Sequence, residues 1–213
     1  MEKQKQNYSL ILEKIIKENE KAGIRPTLLL HACCAPCSSY VLEYLSKYFN
    51  ITILFYNPNI SPEEEYIFRE KELRRLIGEM PLPEGITVIT EKYDTNEFYS
   101  MAKGLEDLAE GGERCKRCYR LRLSKTAEIA KVHDFDYFTT TLSISPYKNA
   151  EWLNTIGKEE GDIHNVKYLF SDFKKKNGYK RSCELSEVYG LYRQNYCGCE
   201  FSKKISEEKS KSK

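Results

Sequence analysis

Seven of the eight cysteines fall into three tight groups, and that spacing carries most of the chemistry the chain can offer. Cys33, Cys34 and Cys37 lie in CCAPC, Cys115 and Cys118 in CKRC, and Cys197 and Cys199 in CGC, while Cys183 stands apart. Structural disulfides tend to staple distant segments, so such clustering favours a shared metal centre or redox chemistry. Cys33 and Cys34 are adjacent, and a disulfide between them would close a strained ring, whereas each can reach a common metal. The C-x-x-C spacing of Cys115 and Cys118 suits zinc, an iron–sulfur cluster or a dithiol, and with CCAPC it completes a four-thiolate set. The C-x-C of Cys197 and Cys199 fits a labile, oxidising disulfide as well as a third ligand pair, with Gly198 giving the turn its freedom. Arg114, Lys116, Arg117 and Arg120 flank C-x-x-C and are candidates to offset a thiolate-ligated cluster or to bind phosphate.

Other site types find little support. There is no G-x-x-x-x-G-K-[ST] or G-x-G-x-x-G, and the S-G-G-x-D-S loop of ATP-dependent thiolases is missing. The three histidines, His31, His133 and His164, lack metal-binding spacing. Net charge is only +2, but the basic residues are grouped. Six lie between Arg114 and Lys125 and five between Lys174 and Arg181, with no acid in either stretch, and five lysines face two glutamates after Phe201. Such stretches either track a phosphate backbone or form solvated faces. The N-terminus lacks a secretory pattern, and no apolar run approaches the ~20 residues that span a bilayer. A cytoplasmic location without membrane contact is expected.

These groups need a scaffold, and the hydrophobic pattern supplies one. Helical spacing over Tyr8–Glu20 precedes a buried strand, Thr27–His31, and CCAPC joins its end to a helix over about Cys37–Tyr48. Pro36 suits that helix start, where its missing N–H costs nothing and the dipole favours thiolate. Further strands read at Ile51–Tyr56, Thr87–Thr90, Tyr137–Leu142 and Lys167–Phe170. Between them lie a helix beginning at Ser61-Pro62-Glu63-Glu64, a short helix capped by Asp94, a long one over Lys116–Val132 and one near Glu151. A last helix is expected over Ser182–Gln194, followed by a polar tail. The alternation implies an α/β fold: a parallel sheet with helices on both faces, Rossmann-like in three layers, and the cysteine site at the C-terminal ends of the strands. CCAPC and SISPYKN both follow strands. The division expected is an N-terminal helix over 1–26, a catalytic iron–sulfur domain over 27–202 and a disordered polar tail over 203–213.

Five segments taken in order, LLLHACCAPCSSY, CKRCYRLRL, TTTLSISPYKN, SDFKKKNGY and QNYCGCEFS, resemble the cobalamin-independent epoxyqueuosine reductases of the QueH type over about residues 27–202. The resemblance implies a 4Fe-4S cluster, a transfer-RNA substrate bearing epoxyqueuosine and a two-electron reduction to queuosine at the wobble position. It further implies that Cys33, Cys34, Cys115 and Cys118 hold the cluster and that Cys197 and Cys199 form a redox-active pair. Some members place aspartate where this chain has Cys37 and hold an additional iron near the cluster. Deoxygenating the epoxide takes two electrons and two protons, so a single cluster needs a second redox element and an external low-potential electron donor. SISPYKN is expected to hold substrate beside the cluster, with Tyr147 as a stacking and catalytic residue and Tyr147, Lys148 and Asp94 as candidate proton donors. Two rival classes are a zinc-containing RNA-binding module and a metal-free thiol–disulfide oxidoreductase. CCAPC together with C-x-x-C exceeds what the latter needs.

Overall fold

In the computed structural model, which describes residues 6–211, five parallel strands form one sheet between two layers of helices. The strands are β1 (Thr27–His31), β2 (Asn50–Phe55), β3 (Thr87–Thr90), β4 (Tyr137–Thr140) and β5 (Lys167–Tyr168), in the order β3-β2-β1-β4-β5. The helices are α1 (Tyr8–Lys21), α2 (Ala35–Leu45), α3 (Glu63–Glu79), α4 (Asn96–Ala102), α5 (Glu113–Val132), α6 (Ala150–His164), α7 (Gly178–Val188) and α8 (Glu200–Lys211). The expected α/β class and layering are therefore present.

β1 is central, and its alternation shows how both faces are covered. Leu28 and Leu30 join a cluster with Leu12 and Ile16 of α1, Val41 and Leu45 of α2 and Leu73 of α3. Leu29 points the other way, into a cluster with Leu123 and Ala127 of α5 and Leu153 and Ile156 of α6. Side chains alternate along a strand, so a run of leucines buried on both sides is what a central parallel strand requires. β1 pairs with β2 on one side and β4 on the other. Chain order reverses between β1 and β4, and the crevice beyond the strand ends at such a reversal is where open α/β sheets bind their ligands.

Several boundaries differ from the sequence expectation: β4 stops at Thr140 rather than Leu142, β5 at Tyr168 rather than Phe170, and α2 runs over Ala35–Leu45 rather than about Cys37–Tyr48. α5 begins at Glu113 rather than Lys116, capped by Gly112, so Cys115 and Cys118 sit on the helix itself. α7 begins at Gly178 rather than Ser182 and ends at Val188 rather than Gln194. A Cβ at Gly178 would overlap Phe173 O and the Tyr40 ring, so only glycine lets the helix start this close to α2. Gly190, with φ +54°, turns the chain away soon after the helix. The expected disordered tail over 203–213 is corrected as far as Lys211, where residues 200–211 form α8. Polar composition hides its anchor: Ser202 is buried, and Phe201 packs on Phe98 at 6.1 Å and under the Arg114 guanidinium at 4.4 Å. Ser212, Lys213 and residues 1–5 lie outside the described residues. No helix among the described residues is long and apolar enough to cross a membrane.

Candidate metal centre and dithiol

The site assembles where β1 and β4 end. His31, the last residue of β1, is fully buried and ties three strand ends together. Its Nδ1 lies 2.8 Å from Thr140 Oγ1 and its Nε2 3.0 Å from the Tyr56 carbonyl. Burial first, then the Arg122 charge, lowers its pKa to about 4, so the ring is a neutral structural strut. Cys34 adopts an extended conformation as the N-cap of α2, and Pro36 occupies its first turn.

Cys33, Cys34 and Cys37 bring three sulfur atoms within 4.8 Å of one another. Cys33 Sγ lies 3.7 Å from Cys34 Sγ and 3.9 Å from Thr141 Oγ1 in the 3-10 turn Thr141–Ile144 that follows β4. The three thiols share their protons unequally. Hydrogen bonds from Cys34 and Cys37 hold the Cys33 thiol well below its ordinary range, assisted by Arg122. Bonding to Cys33 pushes Cys34 up to about 12 and, together with Cys34, pushes Cys37 above its usual value. Metal binding deprotonates such thiols and converts them to ligands. The sequence left the role of Cys37 open, and the structure places it in this group.

The C-x-x-C enters from α5. Cys115, whose sulfur accepts the Gly111 N–H at 3.3 Å, packs against the apolar cluster that contains Cys33 and Cys34. Cys118, one turn on, packs with Phe98 and Cys199. Burial raises the Cys118 thiol, and Arg122 opposes that rise. Neither residue joins the compact three-sulfur group, so one ion cannot collect all five thiols without movement.

The C-x-C closes the site from the C-terminal side. Cys197 Sγ and Cys199 Sγ are 3.6 Å apart, and both cysteines are free. Gly198 has φ +116°, and a Cβ there would meet Ile60 Cγ1 at 2.9 Å and Arg69 Nη1 at 3.1 Å. Ser202, which the sequence reading missed, organises the pair. Its Oγ is 3.1 Å from Cys197 Sγ, accepts the Cys197 N–H at 3.2 Å and lies 3.1 Å from the Cys199 carbonyl. Its own N–H donates to Cys199 Sγ at 3.4 Å. Hydrogen bonding between the two thiols, then Lys148 and Ser202, depresses the Cys197 thiol, and the same coupling raises Cys199. No pattern within C-x-C points three residues ahead, so only the α8 turn could have exposed Ser202.

The basic residues around C-x-x-C are mostly occupied elsewhere. The Arg114 Nη1 donates to the carbonyls of Leu105, Glu106 and Leu108 at 2.7–2.8 Å, folding the preceding loop onto α5. Arg117 pairs with Glu113, and Arg120 pairs with Glu159 and Glu160. In SISPYKN, Tyr147 is 87 % exposed and its side chain stands in solvent. Its neighbour Lys148 turns inward, with Nζ 5.7 Å from the Tyr119 ring centroid and the Cys197 and Cys33 thiols facing it. Asp94 is exposed and accepts the Asn96 N–H at 2.8 Å in the turn before α4, whose N-cap is Thr95 rather than the expected Asp94.

Comparison with known proteins agrees with the arrangement. The family model described as epoxyqueuosine reductase QueH matches residues 28–205. The chain is 46% identical over 206 residues to an epoxyqueuosine reductase QueH of Staphylococcus epidermidis, covering 95% of this chain and 87% of the relative. It is 44% identical over 204 residues to that of Streptococcus pyogenes serotype M1, covering 95% and 80%, and 37% identical over 182 residues to that of Thermotoga maritima, covering 83% and 90%. With a match that spans both the sheet and all three cysteine groups, the chain belongs to the epoxyqueuosine reductase QueH family, a family of oxidoreductases in queuosine biosynthesis.

Proposed function

We propose that this chain reduces epoxyqueuosine to queuosine in transfer RNA with an iron–sulfur cluster held by Cys33, Cys34, Cys115 and Cys118, and with Cys197 and Cys199 as a redox pair. The observation that carries the reading is the grouping of CCAPC, C-x-x-C and C-x-C near the strand ends at the β1–β4 chain reversal. The catalytic unit is 27–202, the enzyme works in the cytoplasm, and an external low-potential donor resets it. When bound, such a centre supplies one-electron transfer and a Lewis-acidic iron.

The chain's own residues account for the remainder. Closing a disulfide across the 3.6 Å gap between Cys197 and Cys199 releases two electrons and two protons. Loss of the epoxide oxygen as water, leaving an alkene, consumes the same number of each. The buried cluster around Phe98 limits water access to the pair. Cys37, within 4.8 Å of Cys33 and Cys34, would be the candidate ligand for an additional iron. Tyr147, standing free at the rim, offers a stacking face for a splayed anticodon base, and Lys148 directs a cation inward from the same loop.

Anaerobic purification followed by absorbance, iron and sulfide analysis, with nucleoside mass spectrometry of epoxyqueuosine-containing transfer RNA, tests the reading. A brown protein with about four irons per cluster that yields queuosine is expected. Stoichiometric zinc without sulfide in a preparation that converts substrate would sink the cluster assignment.

A further inference from the structure

Arg122 is 3 % exposed, and its surroundings are unusual for a buried guanidinium. Its Nε–H donates to the Cys118 carbonyl at 3.3 Å, and it lies 5.9 Å from the Tyr119 ring centroid. Among the described residues it forms no ion pair with a carboxylate. The groups that face it are the Cys118, Cys33 and Cys197 thiols and the Tyr119 hydroxyl. The nearby acid Glu97 is engaged by the Tyr56 hydroxyl, which also feels the Arg122 charge. Lys148 also approaches the Tyr119 ring, at 5.7 Å from its centroid, feels the Cys197 and Cys33 thiols, and likewise forms no ion pair among the described residues. Arg69 is a third cation beside the thiols, but Glu65 at 2.7 Å already neutralises it.

A buried charge without a counter-ion is costly, and a chain keeps one where an anion compensates it. Here the surrounding groups are mainly thiols, which metal binding converts to thiolates. We propose that Arg122, seconded by Lys148, is the fixed counter-charge of the thiolate centre and sets how readily that centre accepts an electron. It is a positioning residue, since it acts through the charge of the centre and not on substrate. The inference rests on the iron–sulfur reading above. It also moves the electrostatic role away from Arg114, Arg117 and Arg120, whose partners lie elsewhere.

The sign follows from charge. Reduction by an external one-electron donor, dithionite in the test, adds one negative charge to the centre. A nearby cation in a medium of low polarity stabilises the reduced form more than the oxidised form, so it raises the reduction potential. Arginine stays protonated at every working pH, which makes the bias permanent. Helical geometry keeps it in place: Cys115, Cys118 and Arg122 recur at i, i+3 and i+7, on one face of α5.

The experiment is a dithionite titration of the anaerobically purified protein, followed by visible absorbance and electron paramagnetic resonance. The variants are Arg122→Gln, Arg122→Lys and Lys148→Gln, each with iron content and a thermal melt. At the potential where wild type is half reduced, Arg122→Gln should show at least a tenfold lower reduced-to-oxidised ratio, equivalent to 59 mV for a one-electron couple. Lys148→Gln should move the ratio in the same direction by a smaller factor, and Arg122→Lys should restore most of the wild-type value. A wild-type ratio in Arg122→Gln with full iron would overturn the proposal, even if its melting point fell. Should Arg122→Gln fail to fold, Lys148→Gln decides, and an unshifted ratio there overturns it. Should wild type prove colourless and hold zinc, the iron–sulfur reading fails separately. The counter-charge is then read by chelator competition, where at least tenfold weaker zinc retention in Arg122→Gln supports it and unchanged retention overturns it.

Discussion

Cys118 and Cys199 pack in one small cluster against Phe98, yet they face different chemical demands. Cys118 stands on a rigid helix with Arg122 one turn ahead, whereas Cys199 shares a short turn with Cys197 and is bonded by Ser202. Ligands spaced along a helix suit a metal centre, and two neighbouring sulfurs on one short turn suit exchange. Cys118→Ser should therefore lose the visible absorbance and most of the iron and sulfide. Cys199→Ser should keep them but convert epoxyqueuosine much more slowly, as iron analysis and nucleoside mass spectrometry would show. Equal loss of iron in both would make the C-terminal pair a ligand set. Ser202 gives a finer test. Its hydroxyl supports Cys197 within hydrogen-bond distance, and a net hydrogen bond of this kind is worth about 1 kcal/mol. Ser202→Ala should slow alkylation of Cys197 by iodoacetamide at pH 7 about fivefold, read from the labelled peptide. An unchanged rate would mean the hydroxyl only caps α8.

The turn between Cys197 and Cys199 belongs to the scale of elements, because it docks α8 onto α3. The Gly198 carbonyl accepts the Ser61 N–H at 3.0 Å, and Arg69 Nη1 donates to the Cys197 carbonyl at 3.2 Å. With φ +116° and Arg69 and Ile60 packed against it, Gly198 has no room for a side chain. Gly198→Ala should destabilise the fold by about 1–3 kcal/mol, measured by urea unfolding. A loss well below that range would show that the turn relaxes freely. Elements of this kind also mark what the sequence could and could not reveal. The leucines of β1 and the strand–helix alternation made the parallel sheet legible, as did the placing of CCAPC at a strand end. The order of strands was not legible, since nothing in a strand's own residues states its neighbour. Nor was α8: its polar faces read as a tail, and the contacts of Phe201 and Ser202 that order it come from segments about 85–105 residues away, or from C-x-C itself. Arg122 was hidden by the same limit. Six basic residues between Arg114 and Lys125 look alike in sequence, and only the fold shows that Arg122 is the one buried beside the thiols without an acid partner.

At the scale of the whole molecule, the same sorting of cations predicts how transfer RNA is held. Unpaired surface charges release counterions from a phosphate backbone, whereas charges already engaged by carboxylates contribute less. In the Arg114–Lys125 stretch, Arg117, Arg120 and Lys125 pair with glutamates, Arg114 and Arg122 are buried, and the half-buried Lys116 lies over the Trp152 ring at 5.7 Å. That stretch therefore fits a structural role better than a phosphate track, one of the two readings the sequence left open for it. Between Lys174 and Arg181, Lys174, Lys176 and Arg181 have acidic partners, while Lys175 and Lys180 are exposed without an ion pair among the described residues. Lys174 also donates to the Lys148 carbonyl at 3.4 Å, which ties this stretch to the loop that rims the thiol site. Phosphates next to a base entering the crevice would then lie against Lys175 and Lys180. Affinity for whole transfer RNA should fall steeply with salt, and Lys175→Gln/Lys180→Gln should reduce the slope of log K against log salt by roughly 1–2, as expected for one or two lost phosphate contacts. Lys125→Gln should leave the slope near the wild-type value. Fluorescence anisotropy at several salt concentrations measures both variants. If Lys125→Gln flattens the slope and the double variant does not, the α5 face carries the backbone and this assignment of the two stretches is reversed.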